Sequence, residues 1–260
     1  GDVHAYLEDK LVVAAHNPAY AEGPAQSREQ LQGHPAHAYR YADVIHTPHL
    51  LELALDPTIL GIVGDYLGCL PLITEMNLLW TNPSGKPECG QSFHRDQNDF
   101  RWVTMFVYLT DVDADSGPHC FVRGTHRHDS FVELLKEKLV DPENREVAEA
   151  VGINLSDLPK SAYTIDYHRL NPFYIVAFGD RRDFITGPAG TIVLEDTRGL
   201  HYGVPPRTRS RLAFWAVYGT YENVCFNASS MTKVPLDSVR DRVADDRLTR
   251  YVSQLVVDRS

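Results

Sequence analysis

Nothing in this 260-residue sequence is long and apolar enough to cross a bilayer. The longest uninterrupted apolar run, Leu212 to Tyr218, is seven residues, where a spanning helix needs about 20. Cysteine is scarce. Cys69, Cys89, Cys120 and Cys225 share no short zinc or redox spacing. Four in a chain of this length make no disulfide scaffold, so reduced thiols and a cytoplasmic setting are expected. Positive charge is the third deficit: 25 Lys and Arg stand against 35 Asp and Glu, a net −10. With no basic stretch, nucleic acid and anionic membrane are not expected as partners. Repeats and low-complexity segments are absent. The sequons at Asn154 and Asn227 match a pattern common by chance. Residue 1 is Gly, not Met, which is compatible with a start further upstream or a removed signal peptide.

What is present is an ordinary globular balance, 43% hydrophobic and 23% charged, enough to bury a sizeable core. Thr47-Pro48 and Asp56-Pro57 both carry helix-start chemistry, and Gly68 suits a helix end, so residues 47–68 predict two short consecutive helices. The period then changes. Strands are expected at 72–81, 91–96, 101–110, 119–123, 172–178, 190–195 and 210–219, punctuated by turns such as Asp115-Ser116-Gly117-Pro118. Helices are expected from Asp129/Ser130 to Leu139 and over 143–151. The expected fold is mainly β, one domain over 1–260: an antiparallel sandwich or barrel with flanking helices and a partly helical insertion, a lid, at about 130–186.

Twelve histidines are the unusual count. His4, His16, His34, His37, His46 and His49 fall in Pro-, Ala- and Gly-containing chain and read as exposed loop. His94 and Asp96 differ. In a strand, residues i and i+2 share a face, so an imidazole and a carboxylate would stand side by side. That is two-thirds of a facial triad of two His and one carboxylate, which leaves three cis positions open on Fe(II). The third ligand should be a distant His, and His201 fits, after a strand and a turn. Arg211 opens the run Leu-Ala-Phe-Trp-Ala-Val-Tyr. A guanidinium entering an apolar strand is costly to bury unless it meets an anion, and its planar fork matches a carboxylate. A triad with a buried Arg is the arrangement needed to hold 2-oxoglutarate. Arg207, Arg209 and Arg211 share strand parity, so Arg209 is the alternative anchor.

Taken in order, Leu50–Gly68, Phe93-His94-Arg95-Asp96, Leu109–Pro118, Val122–His126, Gly187–Thr191 and His201 followed by Arg211 resemble the phytanoyl-CoA dioxygenase (PhyH-like) family of Fe(II)/2-oxoglutarate oxygenases over residues 45–220. The resemblance implies a double-stranded β-helix (jelly roll, cupin-like). It implies His94, Asp96 and His201 as metal ligands, Arg211 as cosubstrate anchor, and Trp80 and Phe106 facing the cosubstrate pocket. The implied chemistry uses Fe(II), 2-oxoglutarate and O2, releases succinate and CO2, and oxidises a C–H bond of a small-molecule substrate. Asp96 favours hydroxylation over halogenation, since the halogenase branch replaces the carboxylate by a small residue. Two departures stand out. Arg123-Gly124-Thr125-His126 replaces the usual Pro-Gly-Ser/Thr-His. Where many members carry a hydroxyl two residues after the distal His, this chain has Gly203, so another residue supplies that contact or none does.

Two rival readings compete. His126, His128 and Glu133, with His168 as a fourth, resemble cupin spacing and would make a metal enzyme independent of 2-oxoglutarate. A non-enzymatic β-sandwich binding module would leave His94, Asp96 and His201 unrelated. His119 reads as a strand or turn residue without a catalytic part. Gln97, Asn98 and Arg101 follow the Asp directly and are candidates for contacting a polar substrate. Tyr163, Tyr167, His168, Arg169, Tyr174, Arg181 and Arg182 give the insertion an aromatic and basic character.

Overall fold

The computed structural model describes residues 1–15, 24–31, 33–85, 89–153, 167–221 and 233–259. In chain order, α1 (Asp2–Leu7) leads into β1 (Val12–Ala14) and β2 (Ala36–Tyr39). Three helices follow, α2 (Tyr41–His46), α3 (Leu50–Ala54) and α4 (Pro57–Leu67). Next come β3 (Leu72–Thr81), β4 (Val103–Tyr108) and β5 (His119–Val122), then α5 (His128–Lys138), α6 (Pro142–Ala150) and α7 (Tyr167–Ala177). The strands β6 (Arg182–Ile185), β7 (Ile192–Glu195), β8 (His201–Gly203) and β9 (Arg211–Gly219) complete the scaffold, and β10 (Val234–Pro235) pairs with β11 (Val257–Asp258) beyond it.

Six strands form one antiparallel sheet in the order β1-β2-β3-β9-β4-β7, and three form a second, β6-β5-β8. The sheets face each other: Phe106 of β4 lies 4.7 Å, ring to ring, from His119 of β5. This is the expected two-sheet β scaffold with flanking helices. Register decides which side chains share the inner face. Glu75, Asn77, Leu79 and Thr81 of β3 stand opposite Val217, Trp215, Ala213 and Arg211 of β9. Thr104, Phe106 and Tyr108 of β4 continue the rows, and Glu195 and Val193 of β7 end them. The alternate residues, among them Met76, Leu78, Trp80, Met105, Leu212, Phe214 and Tyr218, pack outward against α2, α3 and α4.

The helical lead-in follows its local signals at one end only. Asp56 caps α4 by accepting from Thr58 N and Ile59 N, Pro57 sits in the first turn, and Gly68 closes the helix at φ 78. Thr47 does not start a helix. It ends α2, donating its hydroxyl to the Asp43 carbonyl at 2.7 Å, and α3 starts after His49, itself at φ 70.

Other expectations change for physical reasons. Residues 91–96 are not a strand. A 3-10 turn at Cys89–Gln91 precedes an irregular segment with a single bridge, His94 to His201. Residues 172–177 are helical, the end of α7. Leu170, Phe173, Tyr174 and Ala177 are buried while Ile175 and Val176 are exposed, a helical spacing that a short apolar run hides. Helix α5 opens at His128 without a side-chain cap, rather than at Asp129/Ser130. Of the six early histidines, His37 is buried on β2, His4 and His46 lie in helices, and His16 lies outside the described residues.

The described part of the insertion packs against the scaffold. Helices α5, α6 and α7 share a core with Phe93, Val122 and Leu200, so they grip the residues next to His94 and His201. β6 joins the smaller sheet directly. Tyr163 and the side chains of Tyr167 and His168 lie outside the described residues. Cys69 and Cys120 are free thiols; Cys225 and the Cys89 side chain are not described. Among the described residues no helix is long and apolar enough to cross a membrane.

Candidate metal centre

Residues 94–96 run antiparallel to the turn before β8. His94 N donates to His201 O at 2.9 Å, His201 N returns the bond to His94 O at 3.0 Å, and Asp96 N donates to Thr197 O at 2.9 Å. That local ladder does what a strand would have done: it turns His94 and Asp96 to one side, toward His201. The Thr197 hydroxyl is itself fixed, accepting from Trp102 Nε1 at 2.7 Å and lying 3.1 Å from Thr104 Oγ1.

One ligand atom from each of His94, Asp96 and His201 falls within 4.8 Å of the others. His94 Nε2 is 3.7 Å from Asp96 Oδ1, and His201 Nε2 is 3.8 Å from Asp96 Oδ2. These are too long for hydrogen bonds and suit three donors around a common cation. Each imidazole directs its other nitrogen to a backbone carbonyl, His94 Nδ1 to Ser92 O at 2.8 Å and His201 Nδ1 to Gly199 O at 2.9 Å. Such a bond assigns the proton to Nδ1 and leaves the Nε2 lone pair directed inward, the tautomer a metal ligand requires. Burial, reinforced by His94, holds His201 down to about 4, so that lone pair is available at neutral pH.

Arg211 is the second feature. It is only 8% exposed and lies on the inner face at the end of β9. Its Nη1 donates to the Gly117 carbonyl. Its Nη2 lies 3.2 Å from where a Cβ on Gly203 would sit, and its Nε has no hydrogen-bond partner among the described residues. A buried guanidinium with no carboxylate partner among the described residues is a ready anion site. Arg209 and Arg207 are elsewhere: they are exposed and ion-paired with Asp113 and Asp115.

The remaining candidates separate. Phe106 is on the inner face, with its ring against His119 and 6.3 Å from Trp215. Trp80 is not. Parity sends it outward, where its Nε1 donates to Tyr39 Oη at 3.0 Å and Arg28 covers its ring. Arg101 does not reach into the site; it donates to Tyr66 O at 2.6 Å and Leu67 O at 3.4 Å, finishing α4. Asn98 is buried, with an Oδ1 lacking a partner among the described residues, and Gln97 is exposed. The cupin set does not assemble among the described residues. Glu133 is exposed on α5 and bonded to Lys136 at 2.6 Å, and the His168 side chain is not described.

Three inner-face groups were missed in the sequence. His119 Nε2 stands 3.1 Å from Glu195 Oε1, and 2.9 Å from Oε2. Burial pushes Glu195 up to about 8 and His119 down to about 3. Glu75, also buried, accepts from Asn77 Nδ2 and from Trp215 Nε1; burial, then the Asp96 charge, push it up to about 7. For Glu75 a signal was available, since it places a carboxyl inside the long strand β3.

A facial cluster of two His and one carboxylate inside an antiparallel two-sheet scaffold is the setting of a mononuclear non-haem metal site. The profile of the phytanoyl-CoA dioxygenase (PhyH) family matches residues 10–155, more than half of the chain, and the chain belongs to that family. Several solved structures are similar to it. The 2-oxoglutarate-dependent carbocyclase SnoK from nogalamycin biosynthesis is 21% identical over 71% of this chain and 63% of its own, with a TM-score of 0.43. EctD from S. alaskensis, solved with 2-oxoglutarate and 5-hydroxyectoine, is 19% identical over 86% and 70%, at 0.48. HygX from Streptomyces hygroscopicus, solved with nickel and 2-oxoglutarate, is 17% identical over 87% and 80%, at 0.45. The chain spans less than two thirds of the length of SnoK. The comparison with curated proteins gave no match.

Proposed function

We propose that the protein is an Fe(II)- and 2-oxoglutarate-dependent dioxygenase that hydroxylates a C–H bond of a small-molecule substrate. The observation that carries this reading is the cluster of His94, Asp96 and His201, with both imidazoles tautomerically fixed and their Nε2 atoms directed at one point. Membership of the PhyH family supports it. His94, Asp96 and His201 would hold the iron on one face, and the Arg211 guanidinium would pair with the far carboxylate of the cosubstrate. When bound, iron with 2-oxoglutarate and O2 supplies oxidative decarboxylation to succinate and CO2 coupled to C–H oxidation. The chain's own contribution is orientation and exclusion of water: Thr197 braces the Asp96 backbone, and the α5–α7 core braces Phe93 and Leu200.

The test is anaerobic. Fe(II) and then 2-oxoglutarate are added to metal-free protein, and the visible charge-transfer absorbance of the chelate is recorded. A band in wild type that is lost in Asp96→Ala supports the assignment. A folded wild-type protein without a band overturns it.

A further inference from the structure

His119 stands directly opposite Gly203 in the β5–β8 pairing. Gly203 is the position whose missing Cβ leaves room for Arg211 Nη2. The imidazole is enclosed on both faces, with Phe106 at 4.7 Å and His201 at 5.5 Å, ring to ring. It therefore lies beside both the histidine cluster and the buried guanidinium, next to where a ligand bridging the two would sit. Its Nε2 is held by Glu195, which fixes the ring, and the ring's Nδ1 makes no hydrogen bond among the described residues.

Packing alone does not explain the pair. A leucine or phenylalanine would fill the gap between Phe106 and His201 without the cost of burying an imidazole and a carboxyl group. We propose that His119, braced by Glu195, hydrogen-bonds the 2-oxoglutarate held between the histidine cluster and Arg211. The direction of that bond follows from charge. A buried pair is cheapest when net neutral. Glu195 has no other side-chain partner among the described residues, so its proton is shared with Nε2. On either side of that bond the neutral pair keeps a hydrogen on Nδ1, a donor suited to a carboxylate or keto oxygen.

The inference rests on the proposed function, and one titration separates the two. Anaerobic protein loaded with Fe(II) is titrated with 2-oxoglutarate, following the chelate absorbance, and Fe(II) stoichiometry is measured in parallel. His119→Phe keeps the stacking and removes the donor; it should weaken 2-oxoglutarate by at least about tenfold, the scale of one charge-assisted hydrogen bond, with Fe(II) binding unchanged. Glu195→Leu should do the same by freeing the ring, and serves as the test if the Phe variant does not fold. Glu195→Gln, whose amide can still donate to Nε2, should stay within about threefold of wild type. Wild-type affinity, within about twofold, in both His119→Phe and Glu195→Leu would overturn the inference while leaving the proposed function intact. Loss of Fe(II) itself in those variants would also overturn it, because the pair would then be acting through His201. No chelate band in folded wild type would overturn the function and this inference with it.

Discussion

His94 and His201 are joined backbone to backbone by two hydrogen bonds, 2.9 and 3.0 Å, with their rings 4.2 Å apart. Each turns Nδ1 to the carbonyl two residues before it. The cluster is thus set by main chain, and its side chains would have little freedom left to lose on binding an ion. Replacing His94, Asp96 or His201 by Ala should lower Fe(II) affinity by more than about 100-fold, beyond the 10–100-fold typical of outer-shell changes. Thr197→Val, which removes the hydroxyl that Trp102 and Thr104 contact, should fall inside that 10–100-fold range. Equilibrium dialysis of metal-free variants measures both. A His201→Ala protein that binds Fe(II) as wild type does would remove the histidine from the site.

The arginines of the β9 approach give a contrast within one experiment. Arg211 is buried and has no carboxylate partner among the described residues, while Arg209 is exposed and paired with Asp113. Arg211→Gln should weaken 2-oxoglutarate by more than about 100-fold, through loss of a two-pronged charged contact. Arg209→Gln should change it by less than about twofold, as expected for a surface ion pair. Equal losses in both variants would refute the assignment of the anchor to Arg211.

Much of this centre was legible in the sequence because it rests on unusual juxtapositions. A cation at the mouth of a seven-residue apolar strand and an imidazole two residues from a carboxylate are each costly unless something compensates. The long strands were legible as well, since β3, β4 and β9 carry enough residues for their pattern to register. What failed had too few residues or the wrong context. β1, β2, β6 and β8 are three or four residues long, and their pairing is decided by partners remote in sequence. The stretch 172–178 is apolar all along, and only burial on one side distinguishes helix from strand. Trp80 was misplaced because strand parity cannot be assigned to an inner or an outer face until the register with β9 is known. His119 and Glu195 are unremarkable separately and acquire meaning only as neighbours across the two sheets.

Gly117 ties backbone conformation to the anion site. Its φ is +76, an added Cβ would lie 2.5 Å from the Val204 carbonyl, and its own carbonyl accepts from Arg211 Nη1. Gly117→Ala should therefore destabilise the protein by about 1–3 kcal/mol and also weaken 2-oxoglutarate, with Fe(II) binding retained. Gly190, at φ +94 but with open space around it, is the control: Gly190→Ala carries the backbone cost alone and should leave the ligand unaffected. Urea unfolding combined with the chelate titration reads both quantities. A Gly117→Ala protein with normal 2-oxoglutarate affinity would show that the carbonyl does not position the guanidinium.

Glu75 makes the stability of the metal-free protein depend on pH in a definite direction. Its carboxyl is pushed from 4.5 up to about 7, by burial first and the Asp96 charge second. Between those values the folded state holds a proton that the unfolded chain has released, so stability falls as pH rises through that window. The contribution is complete below pH 4.5 and gone above about 7. Glu75→Gln keeps an acceptor for Asn77 and Trp215 but has no proton to lose. Relative to wild type it should gain about 1–3 kcal/mol between pH 4.5 and pH 8, the range implied by a shift of this size. Urea unfolding of the two metal-free proteins at pH 5 and pH 8 measures that gain as a difference of differences, which removes the pH response of every group that does not interact with Glu75. A stability gap identical at the two pH values would mean that Glu75 titrates alike in the folded and unfolded chains, and that its burial is relieved by water or by a neighbour in solution.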